Sequence, residues 1–422
     1  MSMSDTAGHL PKGGADRSQP RARVAAGDTS IDRRGRRRSA PAILSYGFRP
    51  FFLGAALWAA LSVPIWVVLY FSGAEPAGPF SGLEWHVHEM LFGYLAAVIA
   101  GFALTAVPNW TGRLPLSGAP LAGLVALWLA GRFAVALLPW PNLVMAVDLA
   151  FPAVFALAIW REILAGRNIR NVPIAVLITL FGTANLIHHL VRVVPDLAGY
   201  GERLALAVAA VMIALVGGRI VPSFTRNWLA RAKAARLPGS FGAVDRIALA
   251  ATVGALAAWV VLPDHRATAL LLVAAGAALL VRLARWQGIA AVREPIVFIL
   301  HVGYLWLALA LALLGLAILA PGAVPHGAAL HALTAGAIAT MTLAVMTRAS
   351  LGHTGRPIAS DPVTVAIYVL VTAGAALRVA APFAGEGYAA LLAAGAALWS
   401  GAFLTFAVGY WKVLTGPRAD LR

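Results

Sequence analysis

The chain has 422 residues, 60% of them hydrophobic and only 12% charged, with a mean hydropathy of +0.81. Soluble domains carry roughly 25% charged and about 45–50% apolar residues, so the composition excludes an ordinary soluble protein and indicates one built for a bilayer. The net charge of +16 sits mostly between apolar runs, which makes it a topology signal and not the footprint of a nucleic-acid binder. There is no cysteine, which excludes disulfides, thiolate-ligated haem, iron–sulfur clusters and a cysteine nucleophile. Any metal must be held by His, Met or carboxylates.

In chain order, residues 1–43 form a polar tail rich in Gly, Ser and Arg, predicted to be disordered and cytoplasmic. Its run Arg33-Arg34-Gly35-Arg36-Arg37-Arg38 reads as an anchor and not as an export signal, because no short apolar stretch with a cleavage site follows. Twelve apolar runs come next, near 50–71, 85–107, 119–138, 142–161, 172–191, 204–222, 244–262, 267–282, 295–320, 327–347, 362–382 and 388–411. Each approaches the ~20 residues that a helix needs to cross the hydrocarbon. They are long and lack alternation, so they read as helices and not as barrel strands. The expected fold is an all-α polytopic membrane helix bundle: one transmembrane domain from 44 to 415, then a short cytoplasmic tail, 416–422. Of the 33 Lys and Arg, Arg192, Arg203 and Arg266 fall on one side, Arg132 and Arg378 fall inside spans, and the other 28 share the side of the N-terminal tail. That imbalance places both termini in the cytoplasm.

A repeat is visible. A shift of 243 superposes the second span on the tenth: His88 meets His331, Gly93 meets Gly336, and Thr111-Gly112-Arg113 meets Thr354-Gly355-Arg356. At about half that shift, Arg49-Pro50, Arg170-Asn171-Val172-Pro173 and Arg293-Glu294-Pro295 open the first, fifth and ninth spans. The pattern predicts three four-helix units.

An ionisable residue inside a span is costly in lipid and therefore a candidate for function. The second and tenth spans run inward and the fifth runs outward, so His86, His88, His331, His188 and His189 are all expected near the outer face. Neutral imidazole suits haem iron, copper and zinc. Positions 86 and 88 are separated by ~200° on a helix, so they serve opposite flanks and not one ion. His88 and His331, equivalent in the repeat, are the expected axial pair of one haem. His86 is expected to face a second centre with His188 or His189, and Glu89 is the candidate to relay protons or orient an imidazole. His301, six residues into the ninth span, and His353, after the tenth, are further candidate metal residues. Arg132 and Arg378, 246 apart, each require an anion; haem propionates are one option, and for Arg132 the buried Asp148 is another.

Several of these segments resemble the signature blocks of the NnrS family: Tyr46-Gly-Phe-Arg-Pro-Phe-Phe-Leu53, Trp85-His-Val-His-Glu-Met-Leu-Phe-Gly-Tyr94, Thr105-Ala-Val-Pro-Asn-Trp-Thr-Gly112, His301-Val-Gly-Tyr-Leu-Trp306 and the block from His331 to Arg356. The resemblance runs from about residue 45 to the C-terminus. It implies a bacterial inner-membrane protein that contains haem, of b type, and copper, and that acts in denitrification and resistance to nitric oxide. The three-by-four arrangement also resembles the core subunit of haem–copper oxidases and nitric oxide reductases. There, however, the His-x-His helix is the tenth, and here it is the second.

The expected function is redox chemistry on nitric oxide, including its reduction, with electrons from a quinol or a small carrier and no nucleic-acid partner. The alternatives are a protein that binds nitric oxide, haem or copper without turnover, and a transporter of metal or small solutes. A green fluorescent protein fused after Arg422 is expected to fluoresce, and an alkaline phosphatase fused there to be inactive; the reverse pattern would overturn the topology.

Overall fold

The computed structural model describes residues 29–31, 37–39 and 41–421. The disorder expected of the Arg-rich tail therefore falls mostly on residues outside this set. Within it, Thr29–Ile31 pairs antiparallel with Arg37–Ser39. Twelve helices among the described residues are long and apolar enough to cross a membrane: Phe48–Ser72, Gly82–Thr111, Gly118–Leu137, Pro141–Ala165, Ile169–Leu190, Pro195–Arg231, Ala243–Val261, Arg266–Ala284, Pro295–Leu319, His326–His353, Pro362–Phe383 and Gly385–Gly409. The chain is a multi-pass, all-helical membrane protein.

Each helix overlaps one apolar run, and many outrun it. An apolar run marks only the length that hydrocarbon demands, whereas a helix continues until its backbone is capped. The second span starts at Ser81, whose backbone N–H donates to the Glu84 carboxylate at 2.8 Å while its hydroxyl accepts from Glu84 N, a capping box. The eleventh starts at Asp361, which accepts from Thr364 N at 2.7 Å. Proline occupies the first turn of the fourth, ninth and eleventh spans, where its missing N–H costs nothing.

Three helices are more buried than the rest. The second, sixth and tenth spans are 83%, 61% and 72% buried over their apolar windows, against 28–50% for the other nine. The sixth touches both the second and the tenth. Around them the third packs on the fourth and the fourth on the fifth, the seventh on the eighth and the eighth on the ninth, and the twelfth on both the eleventh and the first. Large apolar side chains such as Leu61, Phe133, Leu157 and Leu270 are exposed on the outer helices, as contact with lipid requires. The start of the first span and the end of the twelfth meet at one face of the bundle, where Arg49 Nη1 donates to the Leu414 and Gly416 carbonyls.

The same three inner helices are each interrupted by a π-helical segment: Glu89–Leu95, Ile213–Gly217 and Ala332–Ile338. Such segments are rare and cluster at functional sites. The first and third are offset by 243 residues, the shift noted in the sequence.

Small residues set how closely the outer helices pack. At Gly374 an added Cβ would lie 2.6 Å from Trp399 N and 3.0 Å from the Gly395 carbonyl, both in the twelfth span; at Gly401 it would meet nothing. Gly374→Val is expected to cost about 1–3 kcal/mol and to lower the thermal midpoint in detergent, while Gly401→Ala leaves it unchanged.

Candidate metal centre and adjoining cavity

The second span is the wall between two sites. Its first two turns, Gly82–His88, are α-helical, so His86 and His88 project from opposite flanks. On the His88 flank lies a fully enclosed polar cluster. Asp148 comes from the fourth span and Asn185 and His189 from the fifth; Phe80, just before the second, stacks over the His88 ring at 5.1 Å. His88 Nδ1 lies 3.0 Å from Glu89 Oε1, and His88 Nε2 lies 3.1 Å from Asp148 Oδ2 and 3.2 Å from Asn185 Oδ1. Asp148 Oδ2 also accepts from Asn185 Nδ2 at 2.7 Å and lies 3.1 Å from His189 Nε2.

Arg132 of the third span ties the cluster together. Its Nη1 donates to both Glu89 oxygens at 2.7 Å, and its Nη2 donates to Asp148 Oδ1. Glu89 Oε2 accepts a further hydrogen bond from Trp58 Nε1 at 2.7 Å. Glycine is required beside it: an added Cβ at Gly93 would lie 2.6 Å from Glu89 Oε2, 2.8 Å from Trp58 Nε1 and 2.9 Å from Arg132 Nη1.

Two carboxylates against one guanidinium leave one negative charge in a site from which water is excluded, provided the imidazoles are neutral. An uncompensated buried charge is costly, so a proton or a metal cation must answer it. The geometry admits a metal: one ligand atom each from His88, Asp148 and His189 lie within 4.8 Å of one another. If His88 Nδ1 donates to Glu89, Nε2 is left as an acceptor facing two oxygens, an arrangement that a cation resolves. The carboxylate behind the imidazole is the usual outer support of a metal-binding His.

The His86 flank opens on a cavity of about 490 Å³ lined by His86, His331, Arg378, Tyr94, Glu202 and Trp259, among others. His86 stacks on Trp66 with ring centroids 4.2 Å apart, and its Nδ1 is buried without a partner. His331 Nδ1 donates to the Gly327 carbonyl at 2.7 Å, one turn earlier, which leaves Nε2 for the cavity. Arg378 Nη1 is buried and unpartnered. His188 stands between the flanks: its Nδ1 lies 2.6 Å from Glu202 Oε1, and its ring centroid lies 5.3 Å from that of His88.

These placements exchange the roles expected of the two His in the second span. His88 does not meet His331; it joins His189, with His188 alongside. His86, expected beside His188 or His189, shares the cavity with His331. His86 and His88 leave the second span on opposite flanks, so only one of them can face the cavity that His331 lines. Arg132 is held by Glu89 and Asp148, whereas Arg378 lines the cavity. His301 is apart from both sites, its Nε2 2.8 Å from Thr225 Oγ1. His353 packs against Tyr46 and Phe48. Neither belongs to a group of metal-ligating side chains among the described residues. Asn185 and Glu202 were missed; Asn185 precedes His188 and His189 by three and four residues, so all three share a helical face, and that spacing was the available signal.

A protein-family model described as "NnrS protein" matches residues 42–418, nearly the whole chain. No curated protein matches it.

Removing the guanidinium with Arg132→Met leaves two buried carboxylates facing each other and is expected to cost about 3–5 kcal/mol, read as a fall in the thermal midpoint. Glu89→Gln keeps the shape but weakens the support of His88. Titration with cobalt(II) is expected to show about 10–100-fold weaker binding, with helical content unchanged; equal affinity would mean that His88 is not a ligand.

Proposed function

The chain belongs to the NnrS family, and from that premise we propose that it is a haem- and copper-containing redox protein acting on nitric oxide at the outer face of the bacterial inner membrane. The observation that carries the reading is the pair of His-lined sites on opposite flanks of one helix. The cavity suits a cofactor that takes imidazole ligands and carries a carboxylate. Its volume of about 490 Å³ lies in the usual range for such pockets, about 300–1,000 Å³. His86 and His331 supply imidazoles from different helices, and the buried, unpartnered Arg378 nitrogen suits a propionate. The His88–Asp148–His189 triad fits a second, smaller metal, with neutral imidazole and carboxylate donors compatible with copper.

When bound, the haem and the copper supply electron transfer and coordination of nitric oxide. The balanced reaction joins two nitric oxide molecules with two electrons and two protons to give nitrous oxide and water, the electrons coming from a quinol or a small carrier. The chain's residues hold and orient. Glu89 accepts from Arg132 and Trp58 and abuts His88, so it positions the imidazole instead of carrying protons. Phe80 and Phe92 pack against the rings of His88 and His188 and keep water from the triad.

The test is an optical spectrum of the purified protein, oxidised and reduced, with and without nitric oxide, together with metal analysis. His86→Ala and His331→Ala are expected to lose or shift the haem bands while His88→Ala keeps them; His88→Ala and Asp148→Asn are expected to lose copper. A folded protein with neither haem nor copper would overturn the proposal. Nitric oxide consumed only to protein stoichiometry, with a donor present, would reduce it to binding without turnover.

A further inference from the structure

Two of the sequence blocks above play no part in the redox sites: Tyr46-Gly-Phe-Arg49 and His353-Thr-Gly-Arg356. They lie, with Arg418, at the face of the bundle where the start of the first span meets the segment after the twelfth. We propose that this face carries a phosphate-binding site built from Arg49, Arg356 and Arg418.

Arg49 is 1% exposed. Its Nη1 is spent on the Leu414 and Gly416 carbonyls, at 2.9 and 2.7 Å, and its Nε is buried without a partner. Arg356 Nη1 is likewise buried and unpartnered. An added Cβ at Gly355 would lie 2.5 Å from Asp420 Cγ, so the Arg418–Asp420 pair sits against the turn that carries Arg356, and Arg356 and Arg418 act on Arg49 as like charges. The carboxylate that reaches this group is Asp420, which accepts from Arg418 Nε and Nη2 at 3.0 and 2.6 Å and is 46% exposed. Arg418 is thus paired with Asp420, while Arg49 Nε and Arg356 Nη1 have no partner among the described residues. Ala419 N donates to the Thr354 carbonyl at 2.9 Å, which fastens the C-terminal segment against the Thr354–Arg356 turn and holds the cations in place.

Clustered guanidiniums with spare buried N–H groups call for an anion, because like charges repel and an unpaired buried donor loses its hydration. Donors converging from three segments match a tetrahedral oxyanion better than a planar carboxylate, and guanidinium–phosphate pairs are the strong case. Asp420 then stands in the site as a weak internal competitor. Because the cluster lies at a helix-end face of a membrane protein, the phosphate could come from a phospholipid headgroup or be free in solution; the chemistry is shared.

The experiment measures the thermal midpoint of the full chain under two probes: inorganic phosphate titrated at constant ionic strength, and nanodiscs of phosphatidylcholine with or without phosphatidylglycerol. Stabilisation by phosphatidylglycerol alone identifies a lipid headgroup, and stabilisation by inorganic phosphate identifies a free anion; either supports the site if the variants agree. Arg356→Gln and Arg418→Gln are each expected to weaken the effective affinity about tenfold, and Asp420→Ala to strengthen it several-fold. Arg113→Gln, which alters the equivalent Thr111-Gly112-Arg113 turn where Arg113 is already paired with Glu162, leaves it unchanged. Stabilisation by neither probe, or by the same amount in Arg356→Gln and Arg418→Gln as in the wild type, overturns the proposal.

Discussion

A guanidinium enclosed between two carboxylates organises the first half of this bundle. Arg132 is 2% exposed, and Glu89 and Asp148 are fully buried. None of the three could be tolerated alone at this depth, since each would forfeit its hydration with nothing in return. Together they fasten the second, third and fourth spans, and Trp58 and Asn185 extend the network to the first and fifth. With neutral imidazoles one negative charge is left over, and His88 and His189 set ring nitrogens beside Asp148 where a proton or a cation can answer it. The same electrostatic balance that makes the network structural therefore makes it receptive to a cation.

The second span separates two chemistries with a single helix width. On one flank it presents His88 to an enclosed carboxylate-rich pocket; on the other it presents His86 to a larger, mostly apolar cavity. The π segment that begins at Glu89, directly after the His pair, turns the remainder of the helix and brings Glu89 beneath the Arg132 guanidinium while Tyr94 reaches the cavity wall. His188 and Glu202 span the gap between the two sites: Glu202 lines the cavity and His188 packs beside His88.

The two faces of the bundle are chemically distinct. The His88 flank gathers carboxylates and imidazoles, groups that hold cations, while the adjoining cavity keeps a guanidinium, Arg378. The face where the chain's ends meet gathers guanidiniums and carbonyl caps, groups that hold anions. Arg49 illustrates the second: it ties the first span to the Leu414 and Gly416 carbonyls beyond the twelfth, yet it retains a buried donor that no described residue uses.

Much of this was legible in the residues alone. Twelve apolar runs determined the helix count, because no other backbone satisfies its hydrogen bonds in hydrocarbon. The 3.6-residue period determined that His86 and His88 serve opposite flanks, since that follows from helix geometry and requires no partner. Pairing was another matter. The internal repeat joined His88 to His331, but equivalence in sequence does not specify contact, and the packed structure set His86 against His331 instead. Asp148 was weighed only as a partner for Arg132, and Asn185 not at all, because their roles depend on the fourth and fifth spans meeting the second at one depth. Which side chains converge is decided by how helices pack, and the spacing of residues along one helix carries no record of its neighbours.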